Sequence, residues 1–208
     1  MEFERFGYNW KATNLLVKLT REGCVELATN KTDGSHYCGN LVCNGNFGHG
    51  VYEWMFTHPV FPHCIFSLGL ICGDVRLLIA EGSMTLYPNN YKKNFLKTSI
   101  QPQVWRDGED MTAFCKVHHM FNHKIKTGKP NRYFLIWSER CVKVFCGSVL
   151  VMETNDESVM RELNNCNGKM TPYVMVGYTF NNGEVNHIAS EKTANATVCG
   201  FEYRPFDE

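Results

Sequence analysis

The amino-acid sequence predicts an all-β protein, and three observations carry that prediction. Apolar residues recur with period two or in short runs, turn residues break them at close intervals, and one segment alone has helical spacing. Taken in order, Val51–Thr57, Cys64–Ile71, Val75–Ala80, Tyr133–Trp137, Cys141–Cys146, Val149–Glu153, Tyr173–Phe180 and Val198–Tyr203 read as strands. Between and around them stand Thr32-Asp33-Gly34, Cys43-Asn44-Gly45, Pro88-Asn89-Asn90, Lys129-Pro130-Asn131 and Asn181-Asn182-Gly183. Asn, Asp, Gly and Pro favour reversals because they tolerate positive φ, bond their own backbone or fix φ. Many short strands so spaced favour a sandwich or barrel over an α/β fold.

The helical segment begins at Thr154-Asn155-Asp156-Glu157, which has the spacing of a capping box, with Val159 and Leu163 following at i, i+4. No linker, composition break or internal repeat divides the chain. Residues 1–208 are expected to form a single domain.

Composition narrows the functional classes. Lys and Arg number 21, matching 21 Asp and Glu, and no basic block or basic–aromatic stripe occurs, so a nucleic-acid partner is not expected. No apolar run approaches the roughly 18–20 residues needed to span a bilayer. The first fourteen residues mix Glu2, Glu4, Arg5 and Lys11 with aromatics and lack the apolar centre of a secretory signal. A cytoplasmic protein is expected, or a secreted one whose leader was removed. Ten cysteines are compatible with disulfides, and Asn30-Lys-Thr and Asn195-Ala-Thr are sequons, but with no leader the thiols are expected to be largely unpaired.

Five segments in unbroken order resemble glycoside hydrolase family 16, the laminarinases and licheninases. They are Gly34–Val42 with Asn46–Met55, Cys64–Leu70, Arg132–Leu150, Pro172–Tyr178 with Asn181-Asn182-Gly183, and Phe201–Pro205. The resemblance runs from about Asn14 to Phe206. It implies a concanavalin A-like, antiparallel jelly-roll β-sandwich whose concave face carries a sugar cleft.

A retaining glycosidase of this kind needs two carboxyl groups about 5–5.5 Å apart, which the family carries in a Glu-x-Asp-x-Glu run on one strand. Here the corresponding strand reads Gly73-Asp-Val-Arg-Leu-Leu-Ile-Ala-Glu-Gly82. Aligned on Gly82, the two catalytic positions fall on Val75 and Ile79, with Leu77 between them. A second register, allowing a bulge, places Asp74 at the nucleophile but leaves Ile79 at the acid/base. Asp74 and Glu81 lie an odd number apart and are expected on opposite faces. No catalytic residue is therefore expected, and the domain is predicted to be inactive as a hydrolase.

Other constellations are weaker. His119 and His123 have i, i+4 spacing, but Thr112–Val117 reads as strand, so neither a metal nor a cofactor is expected. Cys115 lies three residues from His118 with nothing else to make a triad. Trp137 is expected in the core, and Trp105, in an Arg-Asp-Gly context, nearer the surface. The expected ligand site is the concave face near Tyr87, Asn90, Tyr91 and Trp105, where aromatics stack on sugars and amides meet hydroxyls. The primary expectation is thus a lectin-like module binding a glycan or other ligand. The alternative is a protein- or peptide-interaction domain, SPRY-type or viral/structural, since Gly48-His-Gly-Val-Tyr-Glu-Trp54 is also similar to a SPRY strand.

Overall fold

A computed structural model describes residues 1–29, 38–58, 64–79, 102–118, 128–166, 169–177 and 195–206, and the backbone alone of 80–87, 95–101 and 178. Among the described residues the strands form two eight-stranded antiparallel sheets. The first runs, from edge to edge, Glu2–Arg5 (β1), Tyr8–Thr13 (β2), Cys38–Cys43 (β5), Thr171–Tyr178 (β15), Cys64–Cys72 (β7), Val75–Tyr87 (β8), Phe95–Arg106 (β9) and Glu109–Asp110 (β10). The second runs Lys116–Val117 (β11), Val149–Thr154 (β14), Val142–Cys146 (β13), Asn131–Trp137 (β12), Gly50–Thr57 (β6), Asn195–Pro205 (β16), Val25–Thr29 (β4) and Leu15–Leu19 (β3). The all-β jelly-roll sandwich predicted from the sequence is the fold observed.

Period two explains the packing. On β6, Tyr52, Trp54 and Phe56 are buried while Val51, Glu53 and Met55 between them are not. Tyr133, Leu135 and Trp137 repeat the pattern on β12. These side chains join Trp10, Leu41, Phe66 and Leu70 of the first sheet in one continuous core. Burying such aromatics removes roughly 150–250 Å² of surface each from water, the dominant force holding the sheets face to face.

A short helix, Glu157–Asn164 (α1), links β14 in the second sheet to β15 in the first. Its cap differs from the expected one: the Asp156 carboxylate, not Thr154, accepts from the Ser158 and Val159 amides. Thr154 instead accepts from the Asp156 amide through its hydroxyl, one step upstream. Val159 and Leu163 are buried as their spacing implies. The expected strand at Thr112–Val117 is a 3₁₀ turn over Thr112–Phe114 followed by β11. Among the described residues no helix is long and apolar enough to cross a membrane.

Candidate functional site

The outer face of the first sheet is set by what its inner face buries. Val104 of β9 and Leu77 of β8 are opposite one another and fully buried. Alternation therefore turns their neighbours Trp105, Gln103, Arg76 and Leu78 away from the core. Backbone pairing sets Arg76 opposite Trp105 and Leu78 opposite Gln103. Gly69 of β7 sits opposite Leu78, and Tyr173 of β15 opposite Gly69, which extends the row across four strands.

This finding corrects the assignment of the catalytic positions. Val75, Leu77 and Ile79 do not project into a cleft: Leu77 and Ile79 are core residues, and Val75 packs against the core. The outward positions belong to Arg76 and Leu78 instead. Counting back from Gly82 gives the wrong face because a β-bulge intervenes. Leu78 pairs with Gly69, whereas Ala80 pairs with the adjacent Leu68, so Ile79 is an extra residue on β8. The same shift appears against β9, where Leu78 faces Gln103 and Glu81 faces Gln101. A bulge changes the parity of every residue beyond it. Glu81, expected on the face opposite Asp74, therefore stands at an outward register position, opposite the outer-face residue Ser67.

Gly69 makes the bulge possible. A Cβ on it would lie 2.2 Å from the Leu77 carbonyl oxygen, so the strands approach too closely there for any side chain. An isolated glycine inside a strand is the sequence signal from which this bulge was legible.

The parity change does not create a hydrolytic pair. Counting from the Cys72–Val75 pairing to the Ser67–Glu81 pairing, Asp74 and Glu81 lie about six strand steps apart. At ~3.3 Å per step that is roughly 20 Å. Retaining chemistry requires about 5–5.5 Å and inverting chemistry about 6.5–9.5 Å. Among the described residues, no second carboxylate occupies the rows beside Glu81, which hold Ser67, Gln101, Leu78 and Gln103.

What the face does offer is a cavity of about 290 Å³ lined by Asp74, Arg76, Leu78, Trp105 and Gly108. Two tight hairpins shape it. Asp107 (φ 50°) and Gly108 (φ 80°) form the β9–β10 reversal, a conformation in which Gly carries no steric penalty. Gly73 and Asp74 form the β7–β8 reversal. The Trp105 indole is half-buried and donates to the Gln103 side-chain oxygen at 2.6 Å, which fixes the ring across the strand. Arg106 bonds Glu162 of α1 at 2.8 Å and anchors the end of β9. Arg76 is exposed and makes no ion pair among the described residues. A larger cavity of about 390 Å³ lies nearby, lined in part by Ile71, Cys72, Cys166, Lys169 and Thr171.

Of the four residues expected at the ligand site, Trp105 is on this face and at the cavity. Tyr87 ends β8 opposite Phe95, whereas Trp105 faces Arg76 near its start. Ten steps along β9, from Phe95 to Trp105, separate these two positions, roughly 33 Å. Tyr87 and Trp105 therefore do not share one subsite, and Asn90 and Tyr91 lie outside the described residues. Asp74, Arg76 and Leu78, which do surround Trp105, were not among the expected binding residues. Trp137 is wholly buried, as anticipated. His118 bonds Glu153, and no metal-binding cluster occurs among the described residues, while His119 and His123 lie outside them. The Cys115 thiol is pushed up to about 11 by burial, the reverse of what a nucleophile needs.

With this geometry in view, the chain can be set beside known proteins. The fold is that of the glucanase sandwiches. A Bacillus licheniformis β-glucanase superimposes with a TM-score of 0.61 at 15% identity, covering 97% of each chain. An endo-acting O-glycanase of the human gut microbiota that initiates mucin breakdown gives 0.65 at 12%, covering 95% of this chain and 92% of that one. An immunostimulatory antigen and pseudo β-1,3-glucanase of Mycobacterium tuberculosis gives 0.64 at 10%, covering 95% and 91%. No family profile matches the sequence, and no curated protein sequence does. Likeness at this identity is a likeness of fold. That fold houses both working glucanases and a pseudo-glucanase.

Proposed function

We propose that this domain is a non-catalytic, lectin-like module that holds a saccharide on the outer face of the first sheet. The observation that carries the reading is the outward row of β8 and β9: Arg76 and Leu78 beside a half-buried Trp105. A flat indole suits the apolar face of a sugar ring. Asp74 as acceptor and Arg76 as multiple donor suit adjacent hydroxyls. Arg76 and Leu78 supply neither a nucleophile nor a proton at neutral pH. Tyr52 and Trp54, which carry the SPRY likeness, are buried core residues, so that likeness rests on packing. The proposal is tested by screening a glycan array of glucan and mucin-type oligosaccharides with wild-type protein and Trp105→Ala. Retention by wild type and loss by the variant support it, and equal signals from both proteins refute it.

A further inference from the structure

Antiparallel pairing of β4 with β16 runs from Asn195 opposite Ala28 to Val198 opposite Val25. The residues that follow this last pair on the two strands are Cys24 and Cys199. Val25 and Val198 are fully buried, so alternation puts both cysteines on the outer face of the second sheet, where each is half-buried. Their thiols lie close enough to interact, and the Thr57 side chain stands beside Cys199. Cys199 is also the extra residue of a bulge, since Val198 faces Phe56 and Gly200 faces Met55. Residues directly opposite in an antiparallel ladder have Cα atoms about 4.5 or 5.5 Å apart. A disulfide spans about 4.4–6.8 Å. Either ladder spacing falls within that range.

We propose that Cys24 and Cys199 are a built-in disulfide site, closed by a thiol oxidant such as glutathione disulfide and opened by reduced glutathione. Cys24 attacks one sulfur of glutathione disulfide as its thiolate, releasing one glutathione and leaving a mixed disulfide. Cys199 loses its proton, attacks the Cys24 sulfur and expels the second glutathione. The protein pair loses two electrons and two protons, and the glutathione disulfide takes up both. Burial pushes the Cys199 thiol up to about 11, which makes Cys199 a poor first attacker. The bond ties the start of β4 to β16, the C-terminal strand of the second sheet, through a partner 175 positions along the chain. Cross-links that close long loops restrict the unfolded chain most.

The test is peptide mapping after equilibration of the native full chain in glutathione redox buffers, alkylation and tryptic digestion. Cys24 falls in the peptide 22–31 and Cys199 in 193–208, each with a single cysteine. The expected result is one linked species, two hydrogens lighter than the two peptides together, lost again in reduced buffer. Oxidation should raise Tm by roughly 5–10 °C. Cys24→Ser and Cys199→Ser should each abolish that rise. Recovery of both peptides with alkylated thiols under oxidising buffer overturns the proposal, as does Cys24 linked to any other cysteine. The mapping is made on wild-type protein, so it decides the matter even if a variant fails to fold.

Discussion

Acid should unfold this domain through one residue, His58. It closes the buried end of β6 at 3% exposure, packed against Phe56, Phe66 and Tyr133. Its Nε2 shares a 2.5 Å hydrogen bond with the Tyr133 hydroxyl, while Nδ1 meets no partner among the described residues. A protonated ring would have to place a charge there, so burial lowers its pKa from 6.5 to about 4. The unfolded chain takes up the proton near 6.5 and the folded one near 4, so stability is complete above 6.5 and falls between those values. At about 1.36 kcal/mol per pH unit, the loss amounts to roughly 3 kcal/mol by pH 4. The perturbation is the double change His58→Phe with Tyr133→Phe, which removes the titrating group without stranding a lone hydroxyl. Urea unfolding at pH 7, 6, 5 and 4 measures it. The wild type should lose about 3 kcal/mol more over that interval than the double variant. Parallel pH profiles for the two proteins would refute the reasoning.

Three further outcomes follow from the geometry. Asp156→Ala removes the acceptor for the Ser158 and Val159 amides and should cost about 1 kcal/mol in chemical denaturation. Asp156→Asn should retain most of it. Gly69→Ala drives a methyl group into the Leu77 carbonyl and should destabilise by about 1–3 kcal/mol or more. An unchanged midpoint would mean that the bulge is misplaced. Trp105→Ala, because the ring is half-buried, should cost less than the ~3–5 kcal/mol of a core tryptophan. It should weaken saccharide binding about tenfold or more by titration calorimetry.

The central strands were legible because their chemistry repeats at the strand period. Tyr52, Trp54 and Phe56, and Tyr133, Leu135 and Trp137, alternate with less buried residues, and both sets are core. The same rule failed on β8. Val75, Leu77 and Ile79 alternate in the sequence and do share a side, but that side is the core, and the continuous apolar residues from Leu77 to Ala80 hide this in the sequence. A single inserted residue at Ile79 then shifts everything after it. Strand pairing fixes such a shift, and a lone strand reveals it only through a clue like Gly69. The strand Phe95–Arg106 went unread because Lys97, Thr98, Ser99, Gln101 and Pro102 dilute its apolar signal. With it went the placement of Trp105 beside Arg76, a contact between residues 29 positions apart. Short edge pairs such as β10 and β11 carry too few residues for any period to appear.

The central claim is that the Trp105 face binds a saccharide and leaves it intact. One proton NMR titration tests both halves, using an oligosaccharide retained on the array. The Trp105 indole N–H, assigned by its loss in Trp105→Ala, reports binding, and the sugar's anomeric protons report bond cleavage. The predicted result is a saturable shift of the indole signal with anomeric signals unchanged over prolonged incubation. New reducing-end anomeric signals that grow with time, or saturation of the protein without any shift at Trp105, would contradict the account.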